Sequence, residues 1–350
     1  MRLLVAALVA LAAGAAASAQ QAGFDRVDTG ALDARPPSAR VAGEPGRMTI
    51  QHRDCRPFPA ADVRRRIVEL AVQEWGFFGF AVVDRTDDGE PEPEGPGWRR
   101  GWGRSPAENA RVAASIGGYW AVTPDGAWIL DSQNAIWNRP DNESARWRYA
   151  WSAAFVSWVM CESGLAGMDQ FQRDVAHHRY IDQAIRARDG RARRAAFDAH
   201  QPGEAEIAAG DLLCTARRPA YRTLAERRRQ MGVGARTHCD IVVKVDEANG
   251  RVLAIGGNVR GTVGLKALPA ARAGRILRVV DPPSSDRRGR PIFAHLKLGA
   301  AYPAADAFDA SPAVRALACA GSANASAWRT AAALVASTCA EGVSLGRPPR

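Results

Sequence analysis

Apolar residues recur along this chain first with a helical period of about 3.6 and later with a strand period of about 2. From Ala60 to Glu74 the run AADVRRRIVELAVQE sets Val63, Ile67, Leu70 and Ala71 on one helical face. Asn109 to Gly117 reads as a short helix, followed by Tyr119 to Val122 and a turn at Pro124-Asp125-Gly126. Trp151 to Gly164, WSAAFVSWVMCESG, is apolar on every side and closes on a glycine, as a buried helix does. Another helix is predicted over Phe171 to Arg188. Alternation then takes over, with strands at Asp211–Thr215, His238–Val245, Val252–Ile255, Thr262–Leu265 and Ile292–Leu298. Turns at Asn249-Gly250 and Gly256-Gly257 separate some of them. Helices first and an antiparallel sheet afterwards make an α+β domain.

The flanks lack this periodicity. Arg2, an apolar run from Leu3 to about Ala13, and Ala17-Ser18-Ala19 have the form of a cleavable signal peptide over 1–19. The run is about half of the ~20 residues that a membrane span needs. Residues 20–58 read as a flexible leader, 59–300 as the domain, and 301–350 as a C-terminal appendage. Within the domain, 85–106 clusters Pro, Gly and acid before Trp98 and Trp102 and reads as a loop insertion.

Export changes how the cysteines and charges are read. Cys55, Cys161, Cys214, Cys239, Cys319 and Cys339 are an even set suited to disulfides, with Cys319 and Cys339 expected to pair. The formal charge is +10, or +9 once Arg2 leaves with the signal. The basic residues are scattered arginines and export removes most nucleic-acid partners, so the charge suits an anionic cell wall or membrane face rather than nucleic acid. No metal or cofactor is expected. Asp174 and His178 share a helical face, but two ligands do not make a metal site.

Three short segments carry candidate chemistry. Ser152 opens the apolar helix, where free backbone N–H groups can hold an oxyanion. His238 opens a strand, and Asp240, two residues on, shares its face. Gly256-Gly257-Asn258 follows. Taken singly these are a helix cap, a packing histidine and a turn. Taken together and in this order, WSAAFVSWVM, GDLLC, THCDIVV and AIGGNV resemble the bacterial family called domain of unknown function 2272. More broadly they resemble the NlpC and CHAP cell-wall amidases and peptidases, which are papain-like.

The resemblance implies a papain-like α+β domain with helices packed on an antiparallel sheet. It places Ser152 at the nucleophile position, His238 at the base and Asn258 at the third polar position. Glu74 resembles an upstream helix glutamate of that family. Trp151, Asp240 and His177 are expected to touch substrate, and peptidoglycan or another envelope amide is the expected partner. The family's nucleophile is cysteine, and here it is serine. A helix N-terminus favours an anion by at most about 2 kcal/mol, roughly 1.5 pKa units, which is useful to a thiol starting near 8.5. A hydroxyl stays neutral, so His238 must take its proton during attack. Cys239 faces away from His238, and Cys161 lies on the far face of the helix from Ser152. Cys214 remains open as a displaced nucleophile. Two readings therefore stand: an amidohydrolase, or an inactive relative that binds cell-wall fragments or an envelope partner.

Overall fold

The computed structural model describes residues 26, 32–86, 106–139, 148–216, 221–280, 291–301, 307–319 and 329–335. The expected signal peptide, nearly all of the 85–106 insertion with Trp98 and Trp102, and Cys339 lie outside the described residues.

The chain opens with two short paired strands, β1 (Val41–Ala42) and β2 (Thr49–Ile50), and then the helix α1 (Val63–Phe77). A strand β3 (Ala81–Asp84) leads to helices α2 (Pro106–Ala121), α3 (Gly126–Trp137), α4 (Ser152–Glu162) and α5 (His178–Arg188). Strands β4 (Phe197–His200) and β5 (Leu212–Ala216) and a short helix α6 (Leu224–Arg229) follow. The long strands β6 (Thr237–Asp246), β7 (Arg251–Val259) and β8 (Thr262–Ala273) come next, then β9 (Ile276–Val279) and β10 (Ile292–Leu298). Two helices, α7 (Pro312–Cys319) and α8 (Arg329–Leu334), end the described chain.

The sheet runs β3-β8-β7-β6-β5-β10-β4, with β9 paired to the end of β8. It is mixed rather than wholly antiparallel, because β3 lies parallel to β8. Alternation along β6, β7 and β8 separates two cores. Cys239, Ile241, Val243, Leu253, Ile255, Val263 and Leu265 join the helices in one large cluster. Val242, Val252 and Ala270 turn to the other face, where they meet Leu213 and Leu277.

The helix α4 is buried at every residue, as its unbroken apolar run predicts. Trp151, immediately before it, stacks on Phe78 and on Tyr119 with ring centroids 5.7 and 5.9 Å away. The helix stops where expected. Gly164 adopts φ +104°, and the Leu165 N–H returns to the Met160 carbonyl at 3.1 Å.

Several expectations are corrected. The helix predicted from Phe171 starts only at His178. Asp174 is committed elsewhere, accepting the Ala176 N–H at 2.9 Å and holding the Ser157 hydroxyl through its backbone, so the chain bends there. The turn at Pro124 to Gly126 is followed by a helix, α3, that a turn reading hides. From Leu32 onward the supposed leader is folded onto the body. Leu32, Val41 and Met48 are buried, Arg40 forms a buried ion pair with Glu162, and Cys55 is disulfide-bonded to Cys161. The C-terminal segment packs as well, with Phe308 stacked on Trp75 at 6.3 Å and Val314 and Leu317 buried.

Candidate active site

The GDLLC segment turns out to hold the frame. Gly210 at φ +91° swings Asp211 into the protein, where it is fully buried. Arg64 lies 3.0 Å from it, His295 2.9 Å and Lys297 3.2 Å. Burial pushes its carboxyl up, but these three partners outweigh burial and hold it below the usual range.

Three side chains meet at the N-terminus of α4. Ser152 Oγ lies 2.8 Å from His238 Nδ1, and His238 Nε2 lies 2.8 Å from Asp240 Oδ1. Ser152 is placed by the helix start and His238 by the second position of β6. Asp240 reaches the same ring because alternate strand residues share a face. Asp240 is also held by Lys266, whose Nζ donates to Oδ1 at 2.9 Å and Oδ2 at 2.7 Å. Burial pushes its pKa up, but Lys266 and His238 outweigh burial, and the carboxyl stays ionised far below the normal carboxylate range. Ser152 and His238 are 7% and 9% exposed, so the group is almost closed to solvent.

The N–H groups of Ser152, Ala153 and Ala154 precede the first helical bond, which Phe155 makes to the Trp151 carbonyl at 2.9 Å. N–H groups in this position, in the same turn as the serine, are the kind that can hold an oxyanion.

The third-residue expectation is corrected. Both ring nitrogens of His238 are taken, by Ser152 and Asp240. Asn258 lies instead at φ 55° where the β7–β8 register slips between Gly256 and Val259. What AIGGNV supplies is space. A Cβ on Gly256 would sit 2.1 Å from Asp240 Oδ1 and 2.9 Å from His238 Nε2. A Cβ on Gly257, on the opposite face, would meet Phe155 Cβ at 2.6 Å.

The other candidates divide. His177 is beside the site, its ring centroid 5.2 Å from that of His238. Its Nδ1 accepts the Cys239 N–H at 3.2 Å and faces the Tyr180 hydroxyl. Burial pushes the Tyr180 hydroxyl well above its ordinary range, so it stays a donor, and the His177 proton belongs on Nε2. Trp151 is fully buried, stacked between Phe78 and Tyr119 immediately before Ser152. Cys214 is withdrawn as a nucleophile, because it is bonded to Cys239, its partner across β5 and β6. Cys319 is disulfide-bonded too. Glu74 is not at the relay. It forms a buried ion pair with Arg26, whose Nη2 donates at 2.8 Å, and it accepts the Tyr119 hydroxyl. Sequence reasoning missed Lys266, although a lone lysine in VGLKAL that alternates with buried Val263 and Leu265 was a signal.

Residues 108–298 match the model of a family described as an uncharacterized protein conserved in bacteria (DUF2272). The chain belongs to DUF2272. No curated protein and no solved structure matches it. The DUF2272 match ends with β10 and contains Ser152, His238, Asp240, Gly256 and Lys266. The Arg26–Glu74 pair lies outside it.

Asp211 and Asp240 both have pKa values lowered in the folded state. Their contribution is therefore present above the unfolded carboxylate value, near about pH 4, and is lost as pH falls toward the folded values. Thermal melts should give a Tm that drops steeply below about pH 4, and a flat profile there would contradict the burial of these two charges.

Proposed function

We propose that this protein is an exported serine amidohydrolase acting on amide bonds of cell-wall peptides. The observation that carries the reading is the Ser152–His238–Asp240 relay, two contacts of 2.8 Å at the start of a buried helix. In this reading Ser152 Oγ attacks the amide carbonyl while its proton passes to His238 Nδ1. The oxyanion is received by the N–H groups at the start of α4. His238 then gives the proton to the leaving amine, and water releases the acyl group by the same route. Asp240 holds the ring and balances the imidazolium. No metal or cofactor enters this chemistry.

Export is supported by the signal-like first residues and by the disulfides. No helix among the described residues is long and apolar enough to cross a membrane. The peptide class rests on the resemblance of the four segments to NlpC and CHAP enzymes, papain-like fold included. The basic charge suits an anionic wall.

A second reading has an observation of its own. Ser152 at 7% exposure leaves little room for a scissile bond, which favours a binder that retains the relay without turnover. Mature protein, Ser152→Ala and Ser152→Cys should be compared for release of fragments from purified peptidoglycan, followed by mass spectrometry. Defined fragments from the wild type and none from Ser152→Ala support the hydrolase. A silent wild type with an active Ser152→Cys favours the binder. Silence from all three removes peptidoglycan as the substrate.

A further inference from the structure

Lys266 stands on β8, with β7 between it and the relay. Its register partner on β7 is Ala254, while Gly256 is the β7 residue that lies against Asp240. The lysine reaches past that glycine to both carboxylate oxygens, and its side chain is only 14% exposed. This contact fixes protons as well as position. An ammonium group only donates, so Asp240 must be an ionised acceptor. His238 Nε2 must then carry the proton that it shares with Asp240, which leaves Nδ1 bare to accept from the Ser152 hydroxyl.

The charge has a second effect. A carboxylate alone beside an imidazole favours the imidazolium, whereas a cation on that carboxylate cancels much of the pull. Asp240 on its own strand and His177 just before α5 lie against His238, with Tyr180 of α5 behind His177 and Lys266 of β8 behind Asp240. His177 accepts on Nδ1 from a backbone N–H and is neutral, and Tyr180 keeps its proton. The Cys214–Cys239 bond beside the histidine does not titrate.

We propose that Lys266 is a positioning residue whose charge keeps His238 unprotonated, and the serine primed, in more acidic surroundings than a Ser-His-Asp relay with an unpaired carboxylate would tolerate. What the primed serine does rests on the amidohydrolase reading, but where the ring titrates does not. The test is an NMR titration of the mature protein with ¹⁵N-labelled histidine. The His238 signal is identified by its loss in His238→Gln. Lys266→Met should raise the His238 midpoint by about one pH unit or more, and Lys266→Arg should bring it back toward the wild type. A midpoint unchanged in Lys266→Met overturns the proposal. If Lys266→Met does not fold, Lys266→Gln keeps a donor without the charge and is held to the same two outcomes. Any turnover should lose activity on its acid side in step with the midpoint. A shifted midpoint without turnover in any form would remove the hydrolase reading and leave the Lys266 assignment standing.

Discussion

Alanine at Gly256 should silence the site, with turnover falling by roughly 10⁴-fold, as it does when a triad's aspartate is neutralised. The added carbon would stand 2.1 Å from Asp240 Oδ1 and 2.9 Å from His238 Nε2. Neither atom belongs to a flexible tail. Asp240 is pinned by two contacts from Lys266, and the ring is pinned between Ser152 and Asp240. The carboxylate must swing away, taking the imidazole's orientation with it. The fold should survive, because overpacking of this kind costs about 1–3 kcal/mol. Circular dichroism and a melt, run beside the fragment-release assay, separate the two effects. Gly257→Ala is the control. Its Cβ strikes Phe155 on α4, so it should cost stability more than it disturbs the His238–Asp240 contact. A Gly256→Ala protein with normal turnover would show that this contact is not needed.

Breaking the Cys55–Cys161 bond should bring the largest loss of stability. The two residues are separated by 106 positions, and closing a loop of that size stabilises by about 4–5 kcal/mol through the entropy of the unfolded chain. The bond fastens the segment beginning at Leu32 to the C-terminal half of α4. There the Arg40–Glu162 pair and an Arg66 Nη2 bond of 2.8 Å to the Glu162 carbonyl complete the seam. Paired Cys55→Ser and Cys161→Ser changes should lower Tm by roughly 10 °C. The Cys214–Cys239 bond closes only 25 positions, so its removal should cost less, about 3.5 kcal/mol. Calorimetry of the two double variants ranks them, and the reverse order would refute the loop-length argument.

What could be read from the sequence was what depends on local period. The unbroken apolar run of WSAAFVSWVM gives a buried helix with Ser152 at its head, and the spacing of His238 and Asp240 gives a shared face. What could not be read was register. Whether Gly256 or Asn258 matters depends on which β7 residue lies against Asp240, and whether Lys266 matters depends on a reach past a further strand. No window of sequence contains that information. The resemblance points to Asn258 as the third polar residue, whereas the structure sets the bare backbone of Gly256 against Asp240 and His238. The leader misled for another reason. Its Gly, Pro and charge look like those of an unstructured segment, yet Leu32, Val41, Met48 and Cys55 are enough to fix it once α4 offers a surface and a thiol. The short strands β3, β4 and β9 are of four residues each, too brief for alternation to declare them.

The two described disulfides join cysteines that are consecutive along the chain, the first with the second and the third with the fourth. For a chain that leaves a cell N-terminus first, each newly arrived thiol of these pairs finds its proper mate already outside and waiting. A simple oxidant acting in order of arrival would then favour these two pairings over crossed ones.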